Sequence, residues 1–115
     1  MALTKTQSTT MWILSVLVAA VFVFAGSTKL LGVEEVVKGF NEIGFPAWAR
    51  ILIGLVELGG GIALLIPKVA MEAASFLIVV MLGAIVTVLF AGESVLPPLV
   101  TLLLLGSIAA LRGDE

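Results

Sequence analysis

Four long apolar runs, separated by short polar breaks, set the pattern of this chain. The first runs from Met11 to about Leu31 and is broken only by Lys29. The second runs from Trp48 to Ile66 and contains Glu57, the third from Val69 to Ala91 with Glu72 in its first turn, and the fourth from Val95 to Leu111. A helix needs about 20 residues to cross the hydrocarbon of a bilayer, with about 17–25 as the working range, and all four runs fit. Extended strands would leave backbone groups unpaired in lipid, so the pattern predicts helices.

The breaks predict how the helices connect. Pro67-Lys68 is too short for anything but a tight helix–helix turn, which makes the second and third helices antiparallel neighbours. Proline ends a helix because it lacks the backbone N–H and clashes with the preceding turn. Gly92-Glu93-Ser94 separates the third helix from the fourth. Ser94 is placed to cap the fourth, and Pro97-Pro98 fall in its first turn, where proline is tolerated. Gly32 to Ala47 is longer and more charged. There Val33, Val36, Val37 and Phe40 recur at helical spacing against Glu34, Glu35, Lys38 and Asn41, which predicts a short amphipathic helix lying at the membrane surface. The expected fold is therefore all-α: one four-span transmembrane domain over residues 1–115, a membrane four-helix bundle with a surface helix between its first two spans.

Composition sharpens this picture. Of 115 residues, 61% are hydrophobic and 12% charged, and the mean hydropathy is +1.28. Soluble domains are about 45–50% apolar and about 25% charged, and a small one could not hide this much apolar surface. The net charge of −2 carries little, because the charges sit in the loops and at a few intramembrane positions. No basic stripe of the kind a nucleic-acid binder needs is present. There is no Cys and no His, which removes thiol redox chemistry, iron–sulfur ligation and the commonest metal and haem ligand. With no Tyr either, no phenol is available as a proton donor. The thioethers of Met1, Met11, Met71 and Met81 are scattered and read as apolar filling rather than metal ligands. No catalytic or metal-binding residue is expected.

With four spans both termini share one side with Lys68. That side carries Lys5, Lys68 and Arg112 against Lys38 and Arg50 on the other, with Lys29 near or inside the membrane. The positive-inside rule then favours cytoplasmic termini. Residues 1–25 also read as a signal peptide ending at Val23-Phe24-Ala25, but the apolar run continues past Ala25 to Leu30-Leu31, which favours a retained first helix.

Glu57 carries the chemistry. It lies nine residues beyond Trp48, roughly 13 Å along a helix and close to mid-membrane. An ionised carboxylate there costs at least ~2.5–3.5 kcal/mol on insertion scales, so it should face protein or water. Gly54, Glu57 and Gly61 share one helix side, where another backbone can come close. Lys29 is its natural partner, at the end of a face made of Ser15, Ala19, Phe22 and Gly26. Three readings stand side by side: a buried ion pair that fixes helix register, a polar pocket for a ligand head group or proton lined by Gly26, Gly54 and Gly61, and a Lys29 that snorkels outward over a protonated Glu57. Counted from a common interface, the two residues lie roughly two helical turns apart in depth, so a bridging water or ligand oxygen is as good an expectation as direct contact. Trp12, Trp48 and Arg112 are expected to anchor their helices at the membrane interface. Glu72 suits the positive end of a helix dipole.

At these residues the sequence resembles the DoxX-like family of small four-helix membrane proteins. The resemblance rests on Phe24-Ala25-Gly26-Ser27-Thr28-Lys29-Leu30, on Phe40 through Ile43-Gly44-Phe45-Pro46, on Ile53-Gly54-Leu55-Val56-Glu57-Leu58-Gly59-Gly60, on Met81 to Phe90 followed by Gly92, and on a closing Arg112. It covers most of residues 11–112. It implies a multi-pass protein of a prokaryotic plasma membrane, and its associated theme is quinone-linked respiration. Some distant relatives carry cysteines, and this chain has none, which places dithiol chemistry out of reach. Fold-level kinship does not transfer a reaction.

The expected role is a non-catalytic accessory or anchor subunit of a membrane redox, quinone-linked or stress-response assembly. No prosthetic group is expected, with a bound quinone or lipid as the one ligand class left open. The expected partners are the lipid bilayer, other membrane or redox subunits, or further copies of the chain. Two alternatives remain. Small multidrug resistance transporters also have about this length and four spans, but they place a carboxylate in the first helix and surround it with aromatic side chains. The other alternative is a packing or assembly protein without a ligand.

Overall fold

A computed structural model describes residues 3–113. Met1, counted above among the methionines, and the last two residues lie outside that description. The described residues form five helices and no strand: α1 (Lys5–Leu31), α2 (Glu34–Ile43), α3 (Ala47–Ala63), α4 (Ala70–Ala91) and α5 (Leu96–Gly113).

Local chemistry explains the helix ends. α1 starts well before Met11, where the apolar run begins, because Thr4 and Gln7 form a capping box: Thr4 Oγ1 accepts from Gln7 N at 3.1 Å and Gln7 Oε1 accepts from Thr4 N at 2.9 Å. It ends at Gly32, whose φ of 71° is open to glycine and whose N–H reaches back to Thr28 O. α3 stops at Ala63 rather than Ile66. Leu64 to Val69 form a tight turn ahead of α4, with Ile66 N donating to Ala63 O and Val69 N to Ile66 O. Gly92 closes α4 with φ 72°. Ser94 Oγ accepts from Leu96 N at 3.2 Å, and Pro97-Pro98 lie in the first turn of α5.

α1, α4 and α5 are each long and apolar enough to cross a membrane. α3, with 17 residues, stands at the lower limit of the spanning range. Taken together with α2 it passes the same test, and the two are bent by 120° at the break between them. The run from Trp48 to Ile66 is thus a shorter helix than its hydropathy predicts, and three or four spans fit the helices.

α1 packs against α3 and α5, and α4 packs against the same two helices. The core joins Val18, Ala19 and Phe22 of α1 to Ala73, Ala74, Leu77 and Met81 of α4 and to Leu105 and Ile108 of α5, with Leu64 beside them. These side chains come from the middle of α1, from α4 up to Met81 and from the last half of α5, so α4 and α5 pack tightly at one end. At the other end every residue from Leu82 to Leu104 stays at least partly exposed. α4 and α5 are thus well packed toward the C-terminus of α5 and looser toward their connecting turn.

Candidate functional site

The closest seam is between α1 and α3, and glycines make it. A Cβ on Gly26 would stand 2.6 Å from Leu58 N and 2.7 Å from Gly54 O, both backbone atoms. One on Gly54 would stand 3.0 Å from Lys29 Cβ, and one on Gly61 3.0 Å from Phe22 Cβ and 3.1 Å from Ala19 O. This is small-residue packing, in which backbones touch because no side chain intervenes. Gly26, Gly54 and Gly61 therefore form a close seam between the two helices.

The seam sets the depth of the charged residues. Lys29 lies level with Gly54, so Glu57 is one turn away, about 4.5 Å along the axis. Lys29 Nζ reaches Glu57 Oε1 at 2.6 Å, with the two side chains 18% and 5% exposed. Direct contact replaces the gap of two turns expected from sequence. That expectation started α1 and α3 from one interface, whereas the first turn of α3 rises past the end of α1. Arg50, in that first turn, donates from Nη1 to Lys29 O. This bond satisfies a carbonyl left open at the C-terminus of α1 and brings a cation to the negative end of its dipole.

The ion pair stands without further support from the backbone. The ammonium is the donor that faces Glu57 Oε1, and no backbone N–H or other side chain among the described residues adds a second hydrogen bond to this buried oxygen. A charge-assisted contact of this length satisfies a buried carboxylate oxygen.

A cleft of about 440 Å³ opens beside it. Ile53 and Glu57 of α3 form one wall, and Val80, Met81, Gly83, Ala84, Thr87 and Val88 of α4 form the other. Phe40 and Ile43 of α2, with Phe45, cover it, and Lys29 completes the lining. α3 and α4 touch where Gly60 receives Leu77, and the cleft lies beyond that contact. Thr87 Oγ1 donates to Gly83 O at 2.8 Å, and Lys29 and Glu57 are the charged residues of the lining. Phe40 and Phe45 pack ring to ring, 5.8 Å apart at 52°.

The three interface-anchor candidates separate. Trp48 is 68% exposed at the start of α3. Arg112 turns inward instead of outward: it is 7% exposed, and its guanidinium lies 4.8 Å from the centre of the Trp12 ring, within cation–π range. Trp12 and Arg112 thus tie the first helix to the last, at the end away from the cleft.

A family model described as the DoxX-like family matches residues 13–110. The chain belongs to the DoxX-like family. Neither the curated proteins nor the solved structures hold a match to it. In this DoxX-like chain the matched stretch contains Lys29, Arg50, Glu57 and the whole cleft lining, with Arg112 just beyond it. Its family and its apolar helices make it a multi-pass membrane protein.

Sequence reasoning missed the roles of Arg50, Phe40, Phe45 and the α4 wall. Phe40 and Phe45 carried a signal, the apolar side of a charged helix running into a Gly-Phe-Pro turn. The α4 wall carried none, because Val80 to Val88 reads as uniform apolar sequence.

Proposed function

We propose that this DoxX-like protein is a four-span protein of a prokaryotic plasma membrane that holds a neutral lipophile with a hydrogen-bonding carbonyl head, a quinone by class, in the cleft between α3 and α4. It does so as a non-catalytic accessory subunit of a membrane redox or stress-response assembly. The observation that carries this reading is the Lys29–Glu57 pair, set as the charged element in the wall of an otherwise apolar cleft.

Several features support the ligand class. The volume lies in the range of about 300–1,000 Å³ typical of ligand pockets, which pair apolar walls with a few polar groups. Lys29 and Glu57 cancel in charge, so a charged head group would break the pair, and a neutral one would not. The ammonium has three donors, enough to serve Glu57 and a ligand carbonyl together, while the carboxylate has lone pairs beyond the one Lys29 uses to accept from a ligand hydroxyl. An oxidised carbonyl head and its reduced hydroxyl form both find a partner. With no Cys, His or Tyr, the chain holds such a molecule without carrying its electrons. The long dimension of 46 Å matches a bilayer of about 40–45 Å including head groups.

Purification in a mild detergent, followed by solvent extraction and mass spectrometry, tests this reading. A neutral lipophile at near one per chain is expected, together with co-purifying membrane subunits. Extracts matching empty micelles would overturn it. For orientation the expected arrangement is cytoplasmic termini. A reporter fused after Glu115 that works only outside the cytoplasm should stay silent, and activity there would reverse the topology.

A further inference from the structure

We infer that α2 is a lid over the α3–α4 cleft, hinged at Gly32 and at the Gly44-Phe45-Pro46 turn, and that the lipophile enters sideways from the bilayer when this lid lifts. The inference rests on the reading of the cleft as a binding site.

Both ends of α2 are left-handed glycine caps, Gly32 closing α1 and Gly44 closing α2. Gly32 and Gly44 have φ of 71° and 91°, which only glycine adopts freely. Close packing does not explain them. A Cβ on Gly44 would meet open space, and one on Gly32 would come no nearer than 3.7 Å to Arg50. These glycines serve backbone conformation, unlike Gly26 and Gly54 in the seam.

The two hinges stand on one rigid frame. The Gly26–Gly54 contact and the bond from Arg50 to Lys29 O lock the end of α1 to the start of α3. The chain leaves this frame at Gly32 and returns to it at Ala47. A segment held at both ends can rock without detaching, the usual form of a hinged element.

α2 is also weakly held between its hinges. Each of its residues stays at least partly exposed, and its N-terminus lacks a side-chain cap. Segments with few buried contacts open at low free-energy cost. Phe40 and Ile43, with Phe45, reach over the cleft. In water, lifting them would expose apolar surface. In a bilayer acyl chains solvate them, because lipid is as apolar as their present contacts. The hydrophobic effect therefore does not hold the lid shut, and a ligand that fills the cleft does. The far side of the cleft already faces lipid, since α4 keeps no residue buried between Leu82 and Ala91.

The natural chain has no cysteine, so spin labels can be placed without background. Lys38→Cys on α2 and Glu72→Cys on α4 lie at exposed positions, and Leu52→Cys with Glu72→Cys gives a reference pair between α3 and α4. Pulsed electron–electron distances in nanodiscs should show two populations for the α2 pair and one for the reference. Menadione, a neutral quinone probe, should raise the closed population at least two-fold. In the unsubstituted protein, menadione should slow amide exchange in residues 33–45 at least three-fold and leave residues 50–60 unchanged. One narrow distance for both pairs, with exchange in 33–45 as slow as in α3, would overturn the lid. Equilibrium dialysis separates the two readings. If menadione binds and the populations do not shift, the lid falls and the site stands. If menadione does not bind, the site falls, and the lid with it.

Discussion

Removing either charge of the Lys29–Glu57 pair should destabilise the protein by about 3–5 kcal/mol, the usual cost of leaving a buried charge alone. Glu57→Gln strands an ammonium, and Lys29→Met strands a carboxylate that is only 5% exposed. The double substitution removes both charges and should recover much of the loss. A double-mutant cycle on thermal unfolding in detergent reads the coupling, expected on the order of 1–3 kcal/mol for groups in contact. Added salt should change it little, because screening acts mainly on exposed charges. Strictly additive losses would show that the two residues act separately despite their 2.6 Å approach.

Gly26→Ala should cost about 3 kcal/mol, at the upper end of the range for overpacking. The added methyl would lie 2.6 Å from one backbone atom and 2.7 Å from another, so no side-chain rotation relieves it and α1 must move away from α3. That movement would also pull Lys29 from Glu57. Gly59→Ala is the matched control. No atom lies within 4 Å of its Cβ position, and exchanging a mid-helix glycine for alanine gains roughly 0.5–1 kcal/mol. Opposite signs for the two substitutions in unfolding experiments are the expected result. Equal effects would show that the seam is not closely packed.

The seam and the pair differ in how far the sequence revealed them. Gly26, Gly54 and Gly61 stood out because small residues repeated at helical spacing on faces that also carry Lys29 and Glu57. Periodicity identifies a face. It does not give the depth at which two faces meet. The offset between α1 and α3 depends on where the chain turns back after α2, and on Arg50 capping the last turn of α1. For that reason the two charges were expected two turns apart and stand one turn apart. α2 itself was legible from Val36, Val37 and Phe40 against its acidic residues, and its helix runs from Glu34 to Ile43. The cleft was not legible. It exists because α3 and α4 touch at Gly60 and Leu77 and leave space further on, and an interhelical angle leaves no mark in uniformly apolar sequence. The inward turn of Arg112 onto Trp12 was hidden for a similar reason, since a terminal arginine reads the same whether it faces head groups or a ring.

The measurement closest to the central claim is the amount of neutral lipophile carried by the Lys29→Met/Glu57→Gln double variant. Removing both charges together keeps the packing of α1 on α3 and takes away the charged residues of the cleft lining. The expected result is a variant that unfolds near the wild-type temperature and is extracted with at least ten-fold less bound lipophile. A stable double variant that carries the wild-type amount would contradict the account, because the pair would then hold the helices and not the ligand.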